Sequence, residues 1–304
     1  MSYLEYNTPI YDSLEIHNLM LSDSVRMGTY ALAIEANVKE GDTVVDVGTG
    51  TGILALLSIK AGAKKVYAIE PTKIIEVAKQ IAKSNGLEDK IEFMNCTAEE
   101  AELPERVDCI ISEWMGVFGL QENMLFAVTS VRDRYLKSNG KILPHDVSLY
   151  VALVSSDRIY NETVGRWKQP FHGFDYRYFA DCNADDTHLI TARPDELVSE
   201  PVMLMELDIR NVEPQRLYEE SIKIVVKEST KSQGVLGWFS AGFPNGITLD
   251  TSPYELVTHW QQLFFPFKNP IKLGKNDEVS LTFKMEEDKK DYRLMNFAWD
   301  VSTP

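Results

Sequence analysis

The chain has 304 residues, 44% hydrophobic and 25% charged, with 31 Lys and Arg against 46 Asp and Glu, for a formal net charge of −15. That balance fits one large or two ordinary globular domains and argues against nucleic acid or an anionic membrane as the main partner, since both reward basic surface. No apolar run approaches the ~18 residues of a membrane span, the first residues lack a basic-then-apolar leader pattern, and Cys96, Cys109 and Cys182 are too scattered for a disulfide framework or a metal cluster, so a reduced, cytoplasmic, metal-free protein is expected.

Residues 1–36 carry Ile16, Leu19 and Met20, then Val25, Tyr30, Ala33 and Ile34, at three- and four-residue spacing, which predicts one or two amphipathic helices. Tyr11, His17, Asp23 and Arg26 are polar residues within this stretch. Thr43–Val47 reads as a buried parallel strand. Gly48, Gly50 and Gly52 then make a tight turn, and Ile53 opens a helix. Strand, glycine turn and helix in that order let a nucleotide-like ligand approach the backbone; a glycine turn alone is a weak signal. A second strand, Lys65–Ile69, ends in Glu70, where a carboxylate can accept hydrogen bonds from ribose hydroxyls. A helix over about 72–84 closed by Asn85-Gly86, a third strand at 91–94, an acidic turn at 96–104 and a fourth strand at 107–111 follow. A helix from Glu122 to Leu136 leads to a last strand at 140–144. The candidate ligand positions fall at the carboxyl ends of strands, where open α/β sheets bind ligands.

From Asp146 the pattern changes. Apolar runs or alternation at 147–154, 202–209, 221–227, 234–242 and 278–284 predict an all-β second half, a barrel or a sandwich. Between them, residues 161–195 carry Trp167, Phe171, Phe174, Tyr176, Tyr178 and Phe179 without a long regular element. Clustered aromatic residues are enriched at interfaces.

The stretch Ser112–Leu125 leaves the fourth strand and sets Glu113 and Glu122 on either side of a short loop containing Gly116 and Gly119. If the loop turns back, both carboxylates reach one pocket. Two anions in a dry pocket repel, and one takes up a proton unless a cation binds. A guanidinium suits them best, because its planar fork can meet two carboxylates at once. Taken alone, the pair reads equally well as two surface glutamates beside a turn.

The whole stretch, Ser-Glu-Trp-Met-Gly at 112–116 and Glu-x-Met-Leu at 122–125, resembles the double-glutamate hairpin of the protein arginine N-methyltransferases. The Gly-x-Gly-x-Gly turn resembles that of class I S-adenosylmethionine-dependent methyltransferases, to which that family belongs. Ile16-His-Asn-Leu-Met-Leu21 with Asp23 and Arg26, and Thr258-His-Trp260, match further family motifs in the right order. The resemblance implies an α/β Rossmann-like methyltransferase domain over 1–144, then a β-barrel domain over 145–304 with a dimerisation arm near 161–195. It implies S-adenosylmethionine as cofactor, with S-adenosylhomocysteine as product, at His17, Arg26, Asp46, Gly48, Gly50, Glu70 and Glu99. Arg26 would hold the cofactor carboxylate and Glu99 the adenine amino group. Glu113 and Glu122 would be catalytic, together with a paired Asp23 and His259. Tyr11, Met20, Met124 and Trp260 would line the substrate pocket, the methionines flanking the transfer point; with His259 they lean toward an asymmetric product.

The implied partners are an arginine-containing protein and a second copy in a head-to-tail homodimer. A nuclear location also fits if the source is eukaryotic. One departure stands out: where the family has Tyr-Phe-x-x-Tyr, only Tyr11 matches, with Asn7 and Thr8 in the first two places and Tyr6 one position off. That leaves open free arginine or another small guanidine as substrate, and, as a further alternative, a non-catalytic cofactor-binding partner subunit.

Overall fold

Five parallel strands set the frame of the first half: β1 (Thr43–Val47), β2 (Lys65–Ile69), β3 (Ile91–Met94), β4 (Val107–Ile111) and β5 (Leu136–Leu143), in the order β3-β2-β1-β4-β5. The computed structural model describes residues 11–292 and 294–303, so Tyr6, Asn7 and Thr8 lie outside it. Every residue of β1 is buried, as expected of a central strand covered on both faces. The chain leaves β1 toward β2 on one side and returns through β4 on the other, so the crevice at their carboxyl ends is a topological switch point.

Helices α1 (Leu14–Ser22) and α2 (Ser24–Asn37) lie before the sheet in the chain. Asp23 separates them. Its Oδ1 accepts the Val25 and Arg26 amides, both at 3.0 Å, capping α2. Helix α2 buries Tyr30, Ala33 and Ile34, the periodic residues that predict it. Helix α3 (Ile53–Lys60) follows the glycine turn, and α4 (Ile75–Ser84) starts three residues later than the expected limit at about residue 72, where Thr72 is instead held by Glu70. Helix α5 (Leu125–Tyr135) likewise begins three residues after Glu122. The turn Leu120–Glu122 ends on Asn123 at φ 48°, and a left-handed residue cannot sit inside an α-helix.

After the cis Leu143–Pro144 bond the chain becomes antiparallel. The strands are β6 (Asp146–Val154), β7 (His188–Ile190), β8 (Val202–Asp208), β9 (Leu217–Val225), β10 (Thr230–Phe243), β11 (Ile247–Asp250), β12 (Gln262–Leu273), β13 (Glu278–Glu287) and β14 (Met295–Ser302). They form one sheet in the order β7-β12-β10-β6-β8, with β11 added to β10, and a second in the order β14-β13-β9. The segment expected to lack long regular structure holds α6 (Asp157–Thr163), a short 3-10 turn and α7 (Arg177–Ala184). Trp167 packs against Phe171, Tyr176 and Phe179 there, while Phe174 and Tyr178 remain 70% and 84% exposed.

The halves share one core. Phe118, at the tip of the loop between Glu113 and Glu122, inserts its ring among Phe265, Phe283 and Phe297 of the β-domain at 5.6–5.9 Å.

Candidate active site

The switch-point crevice opens into a cavity of about 320 Å³ walled by the N-terminal helices, the glycine turn, the 113–122 hairpin and the β-domain. Tyr11, His17, Met20, Arg26, Gly48, Gly50, Glu70, Glu99, Glu113, Glu122, Met124, His259 and Trp260 all line it. Asp23 and Asp46 do not.

Gly48 and Gly50 adopt φ of 75° and 54°, which side-chain-bearing residues rarely do. A Cβ on Gly50 would lie 3.1 Å from His17 Cε1, so the imidazole packs directly on the turn. His17 Nε2 bonds to the Tyr11 carbonyl oxygen at 2.8 Å. Buried Glu70 accepts the Gly50 amide at 3.0 Å and, through its other oxygen, the Thr72 amide and hydroxyl at 3.0 and 2.8 Å. Glu99 is exposed at the rim. Asp46 departs from expectation: it lies fully buried beneath the turn, where its Oδ2 accepts the Thr49 hydroxyl at 2.6 Å, and it shapes the loop instead of the cavity wall. Burial pushes its carboxyl up to about 7, against the Thr49 hydrogen bond.

The hairpin does turn back. Gly116 donates its amide to the Gly119 carbonyl at 2.9 Å, and both glutamates face the one cavity. Glu113 Oε2 accepts Arg26 Nε and Nη2 at 3.0 and 2.9 Å, and both side chains are only 8% exposed. Arg26, expected on a cofactor carboxylate, therefore meets Glu113 in this structure. Glu122 Oε2 accepts the Tyr11 hydroxyl at 2.6 Å. Enclosure raises the Glu122 carboxyl from 4.5 to about 7; the Tyr11 hydrogen bond pulls it down and the charge of Glu113 adds to the rise.

Asp23 acts from behind. Its Oδ2 accepts both the amide and Nδ1 of His259 at 2.8 Å, tying the α1–α2 junction to the β-domain. Burial acts to raise its carboxyl, but the Arg26 and His259 amides and the imidazole outweigh it and hold it below 3.8. Trp260 Nε1 donates to the Met115 carbonyl at 2.8 Å, so the Thr-His-Trp loop also braces the hairpin.

Some contributors were not among the site residues expected from the sequence. Tyr30 donates to the Ser112 carbonyl at 3.0 Å and so holds the root of the hairpin. Asn95 donates to the Glu70 carbonyl at 2.8 Å. Leu189, on the three-residue β7, lines the cavity from the β-domain. Trp114 also lines it and lay within the motif already singled out. No group of His, Cys, Asp and Glu side chains among the described residues has the geometry to hold a metal ion.

A sequence profile for the arginine methyltransferase oligomerization subdomain matches residues 145–302, more than half of the chain. A second, for the ribosomal protein L11 methyltransferase PrmA, matches residues 29–116. Protein arginine N-methyltransferase 6 of Xenopus tropicalis is 35% identical over 89% of this chain and 83% of its own length. Protein arginine N-methyltransferase PRMT10 of Arabidopsis thaliana is 35% identical over 91% and 81%. The chain belongs to the protein arginine N-methyltransferases. The fold agrees: a chain of the Trypanosoma brucei PRMT1 enzyme-prozyme heterotetrameric complex with AdoHcy superposes with a TM-score of 0.90 at 28% identity, over 97% of this chain and 95% of that one. In this arginine methyltransferase, then, the paired carboxylates lie where the sequence motif and the topology both direct them, beside the glycine turn.

Proposed function

We propose that the protein transfers the methyl group of S-adenosylmethionine to a guanidino nitrogen of arginine in protein substrates. The observation that carries this is the convergence of Glu113 and Glu122 on one cavity bounded by the glycine turn and Glu70. The cavity fits the cofactor's chemistry. The two glycines leave no Cβ between backbone and ligand, Glu70 is already fixed as an acceptor, and Glu99 stands at the rim. Relatives named as protein arginine methyltransferases support a protein substrate over a free guanidine.

When bound, S-adenosylmethionine supplies an electrophilic methyl group on a positively charged sulfonium. The arginine guanidinium is also positive and stays so, its pKa lying above about 12. Two cations meet in a dry site only if anions are there first. Glu113 and Glu122 accept guanidinium N–H groups, hold the side chain in line, and draw its charge away from the nitrogen that attacks. Arg26 aims Glu113 through Nε and Nη2, while its Nη1 rests on the Met20 carbonyl at 3.2 Å and would be the donor that holds a bound cofactor's carboxylate. Met20 and Met124 narrow the space around the reacting centre. His259 takes the released proton at Nε2, since its Nδ1 is committed to Asp23.

We propose also that the protein works as a homodimer. The exposed rings of Phe174 and Tyr178 would dock on a second copy, whose α1 and α2 present Leu14, Leu19 and Leu32 at 49–65% exposure. The subdomain description of residues 145–302 supports an oligomer.

The test is label transfer from S-adenosylmethionine to an arginine-rich peptide and, separately, to free arginine, with the site read by mass spectrometry. Methylarginine in the peptide is the expected product. Label only on free arginine would overturn the substrate class, and label on lysine or on neither would overturn the reaction.

A further inference from the structure

Between Glu122 and Met124, both on the cavity wall, sits Asn123, which is neither on that wall nor in the solvent. It is 6% exposed and holds φ 48°, ψ 26°, the left-handed region that asparagine tolerates better than most residues. Its amide N–H closes the turn onto the Leu120 carbonyl at 2.9 Å. Its side chain reaches away from the cavity, into the β-domain. Nδ2 donates to the Tyr292 carbonyl at 2.5 Å and lies 3.5 Å from Glu287 Oε2.

Those acceptors belong to the β13–β14 turn, which is itself braced. Glu287 pairs with Met295 at the end of the ladder, Asp288 donates its amide to the Leu294 carbonyl at 2.8 Å, and the other oxygen of Glu287 meets Arg216 at 2.5 Å. The loop is also held two residues before Leu120. A Cβ on Gly237 would lie 2.7 Å from the Phe118 ring, and one on Gly119 would lie 2.5 Å from Leu149. The carboxylate of Glu122 is thus carried by backbone that the far end of the β-domain fixes.

We infer that Asn123 is a positioning residue for the reaction: by tying the backbone at Glu122 to the β13–β14 turn, it sets where the second carboxylate meets the guanidinium. This rests on the arginine methyl transfer proposed above. It gives the β-domain a part in the chemistry that none of its cavity-lining side chains supplies. Glu113 does not depend on this tie, being held by Arg26 and the Met115 amide. Loss of the tether therefore misplaces one carboxylate of the pair and leaves the cofactor cradle intact.

The test uses the full-length protein and an arginine peptide. Asn123→Gly keeps the left-handed backbone and removes the donor. Asn123→Asp keeps the shape and turns the donor into an acceptor facing a carbonyl oxygen. Both are expected to lower kcat by about 10- to 100-fold, the scale of a small misplacement of a reacting group. KM and Kd for S-adenosylmethionine stay within about twofold of the wild type, since the tie is outside the cofactor's walls. Rates are expressed per cofactor-binding site, so that unfolded protein does not count. A kcat within twofold of wild type in Asn123→Gly, or a loss that vanishes on that normalisation, overturns the inference. Absence of arginine methylation by the wild-type protein instead sinks the reaction itself, a separately visible failure.

Discussion

Replacing Tyr11 with Phe tests the electrostatics of Glu122 with a single oxygen atom. The Tyr11 hydroxyl donates to Glu122 Oε2 at 2.6 Å and opposes the burial that raises this carboxyl to about 7. A hydrogen bond to a charged group contributes about 1.5–3 kcal/mol, and each pKa unit corresponds to about 1.4 kcal/mol. Tyr11→Phe should therefore raise the Glu122 value by roughly one to two units. Ionised Glu122 is the form that accepts a guanidinium, so activity is lost as pH falls through its pKa. In the wild type, kcat/KM for an arginine peptide should rise with pH around a midpoint near 7. The midpoint in kcat should lie lower, because a bound guanidinium favours the ionised carboxylate. Tyr11→Phe should move the kcat/KM midpoint upward. The Tyr11–His17 contact uses the Tyr11 carbonyl, so it survives the substitution. Asp46 titrates in the same range but sits outside the cavity; an acid limb due to Asp46 would not respond to Tyr11→Phe. The assay is initial rates with labelled cofactor from about pH 5.5 to about pH 9 at constant ionic strength. A midpoint unmoved or displaced to lower pH would refute this account of Glu122.

Gly50→Ala puts a Cβ 3.1 Å from His17 at φ +54°, so the free turn relaxes; restoring it on binding costs about 1–2 kcal/mol, and calorimetry should show S-adenosylmethionine bound about 5- to 30-fold more weakly. Asp23→Asn leaves one oxygen to cap α2 but turns an amide N–H₂ toward His259, so urea denaturation at pH 7 should show a loss of about 1–3 kcal/mol. The Asp23 carboxyl is held below 3.8, so its stabilisation is present above that value and disappears as pH falls through the lower native value; the two proteins should converge in strong acid. Phe174→Asp with Tyr178→Asp should shift the protein toward monomer in sedimentation, while an unchanged mass would exclude these rings from the interface.

The first half was readable because its central strands, β1, β2 and β4, are buried on both faces. Thr43–Val47 and Lys65–Ile69 are mainly apolar, interrupted only by Thr43, Asp46 and Lys65, and their limits agree with the structure to the residue. The second half was less so. Gln262–Leu273 contains Pro266 and Pro270, which argue against a central strand, yet β12 lies between β7 and β10. Pro266 is accommodated opposite Gly234, beside a register shift. Three-residue β7 and four-residue β11 are too short for any period to show. At the site, the glycine turn was legible from its own motif, while the glutamate pair and the Asp23–His259 pair were legible through the family resemblance of the motifs that carry them. The Arg26–Glu113 contact, the withdrawal of Asp46 beneath the turn and the Asn123 tether are products of tertiary packing, and no spacing along the chain encodes them.

Turnover of Glu113→Gln and Glu122→Gln on an arginine peptide, measured with cofactor affinity on the same samples, reaches the central claim most directly. Each variant should lose at least ~100-fold in kcat, the scale of one key electrostatic group, while still binding S-adenosylmethionine. Near-normal turnover by either variant would contradict the claim that two carboxylates jointly hold the guanidinium for methyl transfer.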